Sequence, residues 1–296
     1  MKKLLFVING HSGKGQIKNR LLEIIDVMVQ EGYQVTVHTT QAREDATNVV
    51  REQAKDYDLI VCSGGDGTLD ETVTGLMQSG AKVPIGYIPA GSTNDFANSL
   101  KIPKNMLHAG KTAVTGRRFP CDVGEFNGDF FIYVAAFGIF TDVSYATSQE
   151  LKNVLGHVAY ILEGAKRLHT IKSYHMRVEY DGQETEGDFL LGMITNSTSV
   201  GGFKGMTGKN VKLDDGLFEV TLIHKPKNII ELNEIIASLT NLKDTTDLID
   251  SFRTDEVRFY AEEEIPWTLD GEFGGDHREV LIQNHHQAME IMVKEK

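Results

Sequence analysis

The chain has 296 residues, of which 41% are hydrophobic and 24% are charged, and its formal net charge at pH 7 is −12. This length is enough for one large or two ordinary domains, and the composition is typical of a globular protein that folds in water. The negative charge argues against a nucleic-acid partner, because such binders gain most of their affinity by neutralising phosphates with basic residues. No run approaches the ~18–20 uncharged apolar residues that a membrane-spanning helix needs.

The chain begins with a charged and then apolar stretch, Met1–Asn9, which superficially resembles a signal peptide. Its apolar run is too short for one, and glycine and charge follow at once. The pattern therefore predicts a first buried strand and a protein that stays in the cytoplasm. The two cysteines, Cys62 and Cys121, have neither CxxC nor Cys/His spacing, which argues against a disulfide framework or a zinc site. Cys62 ends an apolar run and is predicted to be a small core residue.

Apolar runs alternate with amphipathic segments in the first third of the chain. Strands that alternate with helices predict crossover connections and a parallel sheet covered on both faces. The predicted strands are at 4–8, 34–38, 58–62 and 84–88, and the predicted helices are at 17–30, 44–55 and 69–78. In the first helix we expect five apolar residues to face inward, namely Leu21, Leu22, Ile24, Ile25 and Met28.

The pattern changes near Asp122, and short alternating runs dominate from there to about Gln283. Turn residues such as Asp181-Gly182 separate many of these runs, which is typical of an antiparallel, sandwich-like domain. We therefore predict an α/β domain at residues 1–123 and a β-rich domain at 124–285, packed with a cleft between them. The predicted strands are at 130–135, 174–180, 188–195, 217–223, 256–260 and 280–283, with helical interruptions at about 151–170 and 228–242.

The strongest functional signal is the GGDGT run at Gly64–Thr68, between a predicted strand and a predicted helix. Adjacent glycines let the backbone approach a ligand without a Cβ in the way, and the N–H groups at the start of a helix favour an anion. Asp66 is at the tip, and a carboxylate beside a phosphate is repulsive unless Mg²⁺ or a proton lies between them. The alternative is a purely structural turn, but the strand–loop–helix context favours a phosphate site.

Two further loops of small residues follow predicted strands, NGHSGKG at Asn9–Gly15 and PAGSTNDF at Pro89–Phe96. The first lacks the spacing of a Walker A loop. All three loops are predicted at the carboxyl ends of parallel strands, which is where open α/β sheets bind ligands. Their convergence predicts one nucleotide site.

The three loops occur in the same order along the chain as an LDDG run at Leu213–Gly216 and a DGE triplet at Asp270–Glu272. Together they resemble the diacylglycerol kinase catalytic-domain family, most closely its soluble bacterial diacylglycerol and lipid kinases, over essentially the whole chain. The resemblance implies an NAD-kinase-like fold, with an N-terminal α/β nucleotide domain, a β-rich sandwich-like second domain and an ATP site in the cleft. It also implies that residues 286–296 return to the first domain, and that the protein forms a homodimer.

The same resemblance implies a role for each matched residue. ATP and Mg²⁺ would be the cofactors, and diacylglycerol would be phosphorylated to phosphatidic acid. Glu272 would accept the proton of the lipid hydroxyl, and Asp66 would act at the phosphates through Mg²⁺. A structural Mg²⁺ site would take the carboxylate of Asp215 and the backbone carbonyls of Lys212 and Leu217, since oxygen ligands suit a hard cation. The residues implied to contact ATP are Asn9, Gly10, His11, Ser12, Gly13, Thr40, Gly64, Gly65, Asp66, Gly67, Thr68, Leu69, Asp70 and Thr93.

Two positions depart from the family pattern, and several readings stay open. Gly10 stands where proline is usual, and Asp70 stands where asparagine is usual, which adds a negative charge near the phosphates. Without the resemblance, the DGE triplet fits a β-turn after a strand at 267–269, and Asp215 fits a hairpin turn. The acceptor alternatives are a sphingoid base, a related glycerolipid or NAD, although the other two loops fit lipid kinases better than NAD kinase. A non-catalytic nucleotide- and lipid-binding regulator would not need both Asp66 and Glu272.

A lipid acceptor requires contact with a bilayer surface. Apolar residues recur at helical spacing over 152–172, with Lys152, Lys166, Arg167 and Lys172 towards the ends. This pattern fits either a helix packed on the core or an interfacial helix. The residues Lys14, Lys18 and Arg20 form another basic cluster that fits ATP, the membrane or a subunit contact. We expect a cytoplasmic protein in transient peripheral contact with the inner face of the membrane.

Overall fold

The computed structural model describes residues 1–138, 172–197, 211–240 and 246–295. Contacts divide the chain into two compact units. The first contains Met1–Val123, Leu213–Asp215 and the residues from His285 on, and the second contains Gly124–Lys212 and Gly216–Asn284 as far as they are described. The predicted interfacial segment at 152–172 lies outside the described residues, except for Lys172. In the described ranges, no helix is both long and apolar enough to cross a membrane.

The first unit is built on a parallel sheet, as predicted. Its strands lie in the order β4-β3-β1-β2, and each neighbouring pair is parallel. The carboxyl ends of β1, β3 and β4 therefore meet at one edge of the sheet. The last strand of the chain adds to this sheet, because Ile291 pairs in parallel with Ile85. The four strands are β1 (Lys2–Ile8), β2 (Tyr33–Thr39), β3 (Leu59–Gly64) and β4 (Ile85–Pro89).

The central strands of this sheet are apolar throughout because both faces are covered. Leu4, Leu5, Phe6 and Val7 of β1 are completely buried. Burial of such a side chain contributes about 1.5–3 kcal/mol relative to its exposure, so these four residues contribute substantially to the stability of the unit. Cys62 of β3 is also completely buried and is a free thiol, which confirms the prediction that it is a core residue.

Helices cover the sheet, but the first predicted helix is divided into two. A 3-10 helix, Ser12–Asn19, precedes the α-helix. The two helices are separated at Arg20, whose φ of −122° and ψ of 1° are not α-helical. The α-helices of the first unit are α1 (Leu21–Gln30), α2 (Asp45–Gln53), α3 (Asp66–Ser79), α4 (Asp95–Ser99) and α5 (Met106–Thr115).

The inward face of α1 is narrower than predicted. Only Ile24 and Met28 are buried, and the prediction for Leu22 is wrong, since 80% of that residue is exposed. At 100° per residue, Ile24 and Met28 share one face, whereas Leu22 lies about 200° away from Ile24. Helices α4 and α5 were not predicted, because their many small and polar residues give little apolar periodicity.

The second unit is antiparallel and strand-rich, as predicted. Its strands follow the order β11-β10-β9-β7-β12-β13, and β8 pairs with both β9 and β12. Five of the six predicted strands are confirmed, three of them with longer bounds. The strand predicted at 130–135 is instead two strands, Asp129–Phe131 and Val134–Gly138, separated by a bend at Ile132 and Tyr133. The helix predicted at 228–242 is α6 (Ile229–Thr240). The strands are β5 (Arg117–Phe126), which enters this unit at Gly124, then β6 (Asp129–Phe131), β7 (Val134–Gly138), β8 (Tyr174–Tyr180), β9 (Gln183–Thr195), β10 (Phe218–His224), β11 (Ile249–Thr254), β12 (Glu256–Leu269) and β13 (Glu272–Val293).

Aromatic rings form the centre of the second unit. The indole ring of Trp267 packs against Phe126, Phe137 and Phe259, with centroid separations of 5.1, 4.8 and 5.1 Å. These separations and tilted ring planes are favourable for aromatic pairs. Because Trp267 is on β12, this cluster fixes the strand that leads directly into the DGE triplet.

Candidate nucleotide and acceptor sites

The three small-residue loops meet at one edge of the first unit's sheet. A Cβ atom on Gly91 would lie 2.6 Å from the Cα atom of Gly65, and one on Gly13 would lie 1.6 Å from the carbonyl oxygen of Ala90. Real Cβ atoms do not approach other atoms this closely, so the backbones of the loops are in direct contact and only glycine fits. The predicted convergence of the loops is therefore confirmed.

Side-chain hydrogen bonds link the first loop to the second. The Nδ2 atom of Asn9 donates to Oγ1 of Thr68 at 3.2 Å, while Oδ1 of Asn9 accepts from the backbone N–H of His11 at 3.0 Å. Thr68 also covers Gly64, where an added Cβ would lie 2.3 Å from Oγ1. One asparagine therefore fixes both the first loop and its spacing from the GGDGT loop.

The third loop is held by Asn94, which has a positive φ of 52°. Its Oδ1 accepts from the N–H of Gly91 at 3.0 Å, and its Nδ2 donates to the Gly91 carbonyl at 2.8 Å. The buried Tyr87 hydroxyl lies 3.2 Å from both Oδ1 of Asn94 and the carbonyl oxygen of Gly64. Burial, followed by the nearby charge of Asp66, raises the pKa of Tyr87 well above its usual value. The phenol therefore stays protonated and able to donate to either oxygen.

Helix α3 begins inside the GGDGT run, at Asp66, and not at Leu69 as the sequence predicts. Gly65 precedes the helix in an extended conformation, and its carbonyl accepts the first helical hydrogen bonds, from Thr68 and Leu69. The first N–H groups of an α-helix have no acceptor within the helix, and the helix dipole adds positive potential there. The GGDGT run thus supplies a helix start that suits an anion.

The Asp66 side chain is mostly buried beside the start of α4. Its Oδ2 accepts from the N–H of Asp95 at 3.2 Å, and its Oδ1 is buried without a hydrogen-bond partner among the described residues. Burial and the charge of Asp95 raise the pKa of Asp66 to about 6, although backbone hydrogen bonds partly oppose this rise. A buried carboxylate oxygen that lacks a donor is a suitable ligand for a hard cation, so the residues here fit Mg²⁺.

The other implied nucleotide residues are distributed around the same edge. The N–H of Thr40 donates to the carbonyl of Ile8 at 2.9 Å, which places Thr40 beside the end of β1. The carbonyl of Thr93, in the third loop, accepts from the Nδ2 atom of Asn98 on α4 at 3.0 Å. Asp70 lies one turn after Asp66 on α3 and is half-buried. A cavity of about 340 Å³ opens beside the third loop, with Gly13 and Thr93 in its wall.

The implied structural Mg²⁺ residues lie on one irregular segment before β10. Lys212 is exposed, Asp215 and Leu217 are half-buried, and Gly216 between them has a φ of 78°. Within the described ranges, no group of three or more His, Cys, Asp or Glu side chains is arranged to hold a metal. The implied set contains only one carboxylate together with two carbonyls, so this Mg²⁺ site stays a prediction.

The DGE triplet is both a tight turn and the start of a strand. Leu269 pairs with Glu272 across a two-residue loop, Asp270-Gly271, whose φ values are 50° and 86°. Two positive φ values are typical of the type I′ turns that join hairpin strands. Glu272 is exposed as the first residue of β13. The turn predicted from the residues alone is therefore present, and it is compatible with a functional Glu272.

The Asp270 carboxylate is a feature that the sequence did not reveal. Its Oδ2 accepts from the N–H of Ile132 at 2.7 Å, and its Oδ1 accepts from the N–H groups of Tyr133 and Val134 at 3.0 and 2.9 Å. These partners are 136–138 residues away in the chain, so no local pattern could indicate them. The supporting roles of Asn94 and Tyr87 in the first unit were not predicted either, although their mutual contact and the Asn94–Gly91 bonds are local in the chain.

Comparison with known proteins agrees with this organisation. Residues 3–126 match the diacylglycerol kinase catalytic domain, and residues 134–293 match the YegS C-terminal NAD kinase beta sandwich-like domain. The chain is 33% identical to a diacylglycerol kinase of Bacillus subtilis (strain 168) over 299 residues, which covers 100% of this chain and 98% of the relative. It is also 33% identical to a diacylglycerol kinase of Staphylococcus carnosus (strain TM300), over 93% of this chain and 90% of the relative.

Solved structures show the same fold. A diacylglycerol kinase structure from Bacillus anthracis str. Sterne superposes with a TM-score of 0.77 at 23% identity, covering 99% of this chain and 97% of the other. A second B. anthracis chain, proposed to be a diacylglycerol kinase, gives a TM-score of 0.83 at 25% identity, covering 99% and 95%. The predicted fold class is confirmed, and the chain belongs to the diacylglycerol kinase family of lipid kinases, with an NAD-kinase-like α/β domain and a β-sandwich-like second domain.

Proposed function

We propose that this protein is an ATP-dependent diacylglycerol kinase that converts diacylglycerol to phosphatidic acid. The observation that supports this most is the meeting of three glycine-limited loops around the buried carboxylate of Asp66. Catalysis of phosphoryl transfer requires mainly positioning and charge neutralisation. The backbone N–H groups of the loops would position the phosphates, and the Asp66 carboxylate would bind a cation that neutralises their charge.

The ATP phosphates are proposed to lie on the first two loops and the start of α3. Backbone N–H groups of Asn9–Gly13 and Gly64–Leu69 would donate to the phosphate oxygens, with Thr40 and Thr93 completing the site. Burial and the charge of Asp95 raise the pKa of Asp66 to about 6, so the charged form of Asp66 would be stabilised by a nearby cation. Mg²⁺ would be that cation and would neutralise the charge that develops on the transferring phosphoryl group.

Glu272 is proposed to be the proton acceptor. A primary alcohol is a poor nucleophile at neutral pH, so a carboxylate within hydrogen-bond reach of the hydroxyl is the expected catalytic group. The hydroxyl proton passes to the Glu272 carboxylate as the hydroxyl oxygen forms its bond to the γ-phosphorus. The bond from the γ-phosphorus to the bridging oxygen breaks, and ADP leaves with that electron pair.

The proposal includes transient peripheral contact with the inner face of the membrane, because diacylglycerol is a bilayer lipid. A cytoplasmic location, a homodimer and the implied Mg²⁺ site at Lys212, Asp215 and Leu217 belong to the same proposal. The division into a nucleotide domain at 1–123, with 286–296 returning, and a lipid-substrate domain at 124–285 is likewise proposed from the family. A sphingoid base, a related glycerolipid, and a non-catalytic regulator are the alternatives that the experiment must separate.

The test uses purified protein, γ-labelled ATP and Mg²⁺, with diacylglycerol, a monoacylglycerol, sphingosine and NAD offered separately. We expect label on diacylglycerol, lost in Asp66→Ala and reduced about 100-fold or more in Glu272→Gln, as for loss of a general base. Glu263→Gln is the matched control, because it is the same substitution at an exposed residue of β12. Label on another acceptor, or on none, would overturn the proposal.

A further inference from the structure

Asp270, the first residue of the DGE triplet, is hydrogen-bonded to a part of the second unit that is remote in the sequence. It is only 6% exposed, and both carboxylate oxygens accept backbone N–H groups from the connection between β6 and β7. Its own N–H donates to the carbonyl of Val134 at 2.8 Å. Four hydrogen bonds therefore join one turn residue to the three consecutive residues Ile132, Tyr133 and Val134.

The side chain of Tyr133 makes a further hydrogen bond to the same turn. Its hydroxyl donates to the backbone carbonyl of Asp270 at 2.9 Å. The hydroxyl would also lie 3.7 Å from a Cβ on Gly271, so the phenol reaches across the turn. Tyr133 is 7% exposed, which means that its ring is fixed by the surrounding core.

These contacts exceed what a hairpin turn requires. An Asp-Gly pair forms a type I′ turn on its own, because both residues tolerate positive φ. Burial of a carboxylate is strongly unfavourable unless hydrogen bonds compensate for its lost hydration. Asp270 is nevertheless buried, and its carboxylate accepts three hydrogen bonds from a segment that lies more than a hundred residues earlier in the chain. The effect is to fix the backbone immediately before Glu272 relative to the rest of the unit.

We propose that Asp270 and Tyr133 are positioning residues for Glu272, holding the turn so that the Glu272 carboxylate meets the acceptor hydroxyl in one orientation. The inference rests on the proposed function, since it requires Glu272 to be the proton acceptor. Asp270 does not accept the proton itself, because both of its oxygens already accept N–H groups and it is buried. Glu272, in contrast, is exposed at the start of β13.

The mildest test is Tyr133→Phe, which removes one hydrogen bond and keeps the ring. We expect kcat for diacylglycerol phosphorylation to fall about tenfold while KM for both substrates changes less than about twofold, because a misoriented base affects the reaction more than binding. Tyr180→Phe is the matched control, since it removes the same atom from a ring that stacks on Phe252 in the same unit. It should leave kcat unchanged.

The decisive measurement repeats Tyr133→Phe in a Glu272→Gln background, with single-turnover labelling to detect the slow reaction. If Tyr133 acts through the Glu272 carboxylate, its removal should reduce the residual rate less than about twofold, because residues that act as a unit are not additive. An equal tenfold loss in both backgrounds would show a general structural role and would overturn the inference. So would a raised KM with unchanged kcat.

Asp270→Asn extends the test, provided that the variant folds. The amide keeps one acceptor oxygen but turns a donor towards the Ile132 N–H, so kcat should fall further than in Tyr133→Phe. In the Glu272→Gln background, Asp270→Asn should again reduce the residual rate only slightly. Failure of the proposed function has a different signature. If the unaltered protein labels no diacylglycerol, or if Glu272→Gln keeps the normal kcat, then the assignment of Glu272 itself is wrong and the inference is overturned with it.

Discussion

The Oδ2 atom of Asp66 accepts a hydrogen bond from the N–H of Asp95 at 3.2 Å, so two acidic residues meet in the interior of the first unit. Asp95 is 2% exposed and Asp66 is mostly buried. Burial and the neighbouring charge together raise the pKa of Asp66 to about 6. The free protein therefore retains a carboxylate that is unfavourable for its own stability, which is typical of a group kept for catalysis or ligand binding.

Replacement of Asp66 by asparagine should stabilise the protein while it abolishes kinase activity. The pKa of Asp66 rises from 3.8 to about 6 on folding. Between these values the native state binds more protons than the unfolded state, so stability falls as pH rises through this window and stays lower above it. At pH 8 in the absence of metal and ATP, Asp66→Asn should raise the free energy of unfolding by about 1–3 kcal/mol. At pH 4 the gain should largely disappear, as measured by urea unfolding at both values.

Asp45→Asn is the control, for which we expect the opposite change in the free energy of unfolding. Hydrogen bonds from Gln41 and His38 lower the pKa of Asp45, so its charged form contributes stability above its unfolded pKa that is lost as the pH falls. Asp45→Asn should therefore destabilise the protein at pH 8. If both variants shift the free energy of unfolding in the same direction, then the charged form of Asp66 does not destabilise the metal-free protein as we expect.

Gly91→Ala should damage the nucleotide site without unfolding the protein. Its added Cβ would lie 2.6 Å from the Cα atom of Gly65, and backbone atoms cannot move aside as a flexible side chain can. We expect a loss of about 1–3 kcal/mol of stability from overpacking, and at least tenfold weaker ATP binding in calorimetry. Gly10→Ala is the comparison, because its nearest neighbour is the flexible Lys18 side chain at 3.5 Å. Equal ATP affinity in the two variants would contradict the convergence of the second and third loops.

The bond between Asn9 and Thr68 should be measurable as a coupling energy. Nδ2 of Asn9 donates to Oγ1 of Thr68 at 3.2 Å, and this contact joins the first two loops. A double-mutant cycle with Asn9→Ala and Thr68→Val should give a coupling of about 0.5–1.5 kcal/mol in the free energy of ATP binding, as for a typical hydrogen bond. Strictly additive losses would mean that the two loops bind ATP independently.

Neither cysteine should react with iodoacetamide in the native protein. Both are buried free thiols, and burial raises the pKa of Cys62 to about 12 and that of Cys121 well above its usual value. The reactive thiolate is therefore scarce and inaccessible at neutral pH. Mass spectrometry should show no adduct in buffer and two adducts in guanidinium. An adduct on folded, active protein would show that the core near one of these residues opens readily.

Local periodicity was sufficient to predict most of the elements, but not where the functional ones begin. The sequence predicts a helix from Leu69, whereas α3 starts at Asp66. Gly67 makes the first helical turn difficult to recognise in the sequence, because glycine is a weak helix former. The error matters, since the true start places Asp66 at the positive end of the helix. Strand β11, Ile249–Thr254, was missed because its polar residues give no clear alternation, and its pairing with β10 supplies the reason that it forms.

The residues that support the sites lie beyond what one sequence can show. Motif spacing was enough to identify the three loops and Glu272 as candidates. Asp270 was visible only as a turn residue, because its N–H donors are on a different strand connection. Asn94 likewise gave no sign that its side chain closes the third loop on Gly91. The Asp270 contacts depend on packing between distant segments, whereas Asn94 bonds to a residue only three positions away, in a loop whose conformation the sequence pattern does not specify.

The most direct test of the proposed diacylglycerol kinase activity is mass spectrometry of the lipid product formed from ATP whose γ-phosphate carries heavy oxygen. Diacylglycerol in mixed micelles should yield phosphatidic acid with the heavy phosphoryl oxygens, and the product should be absent with Asp66→Ala and strongly reduced with Glu272→Gln. Heavy oxygen found only in inorganic phosphate or in a phosphorylated NAD, with no labelled phosphatidic acid, would contradict the proposal that this protein is a diacylglycerol kinase.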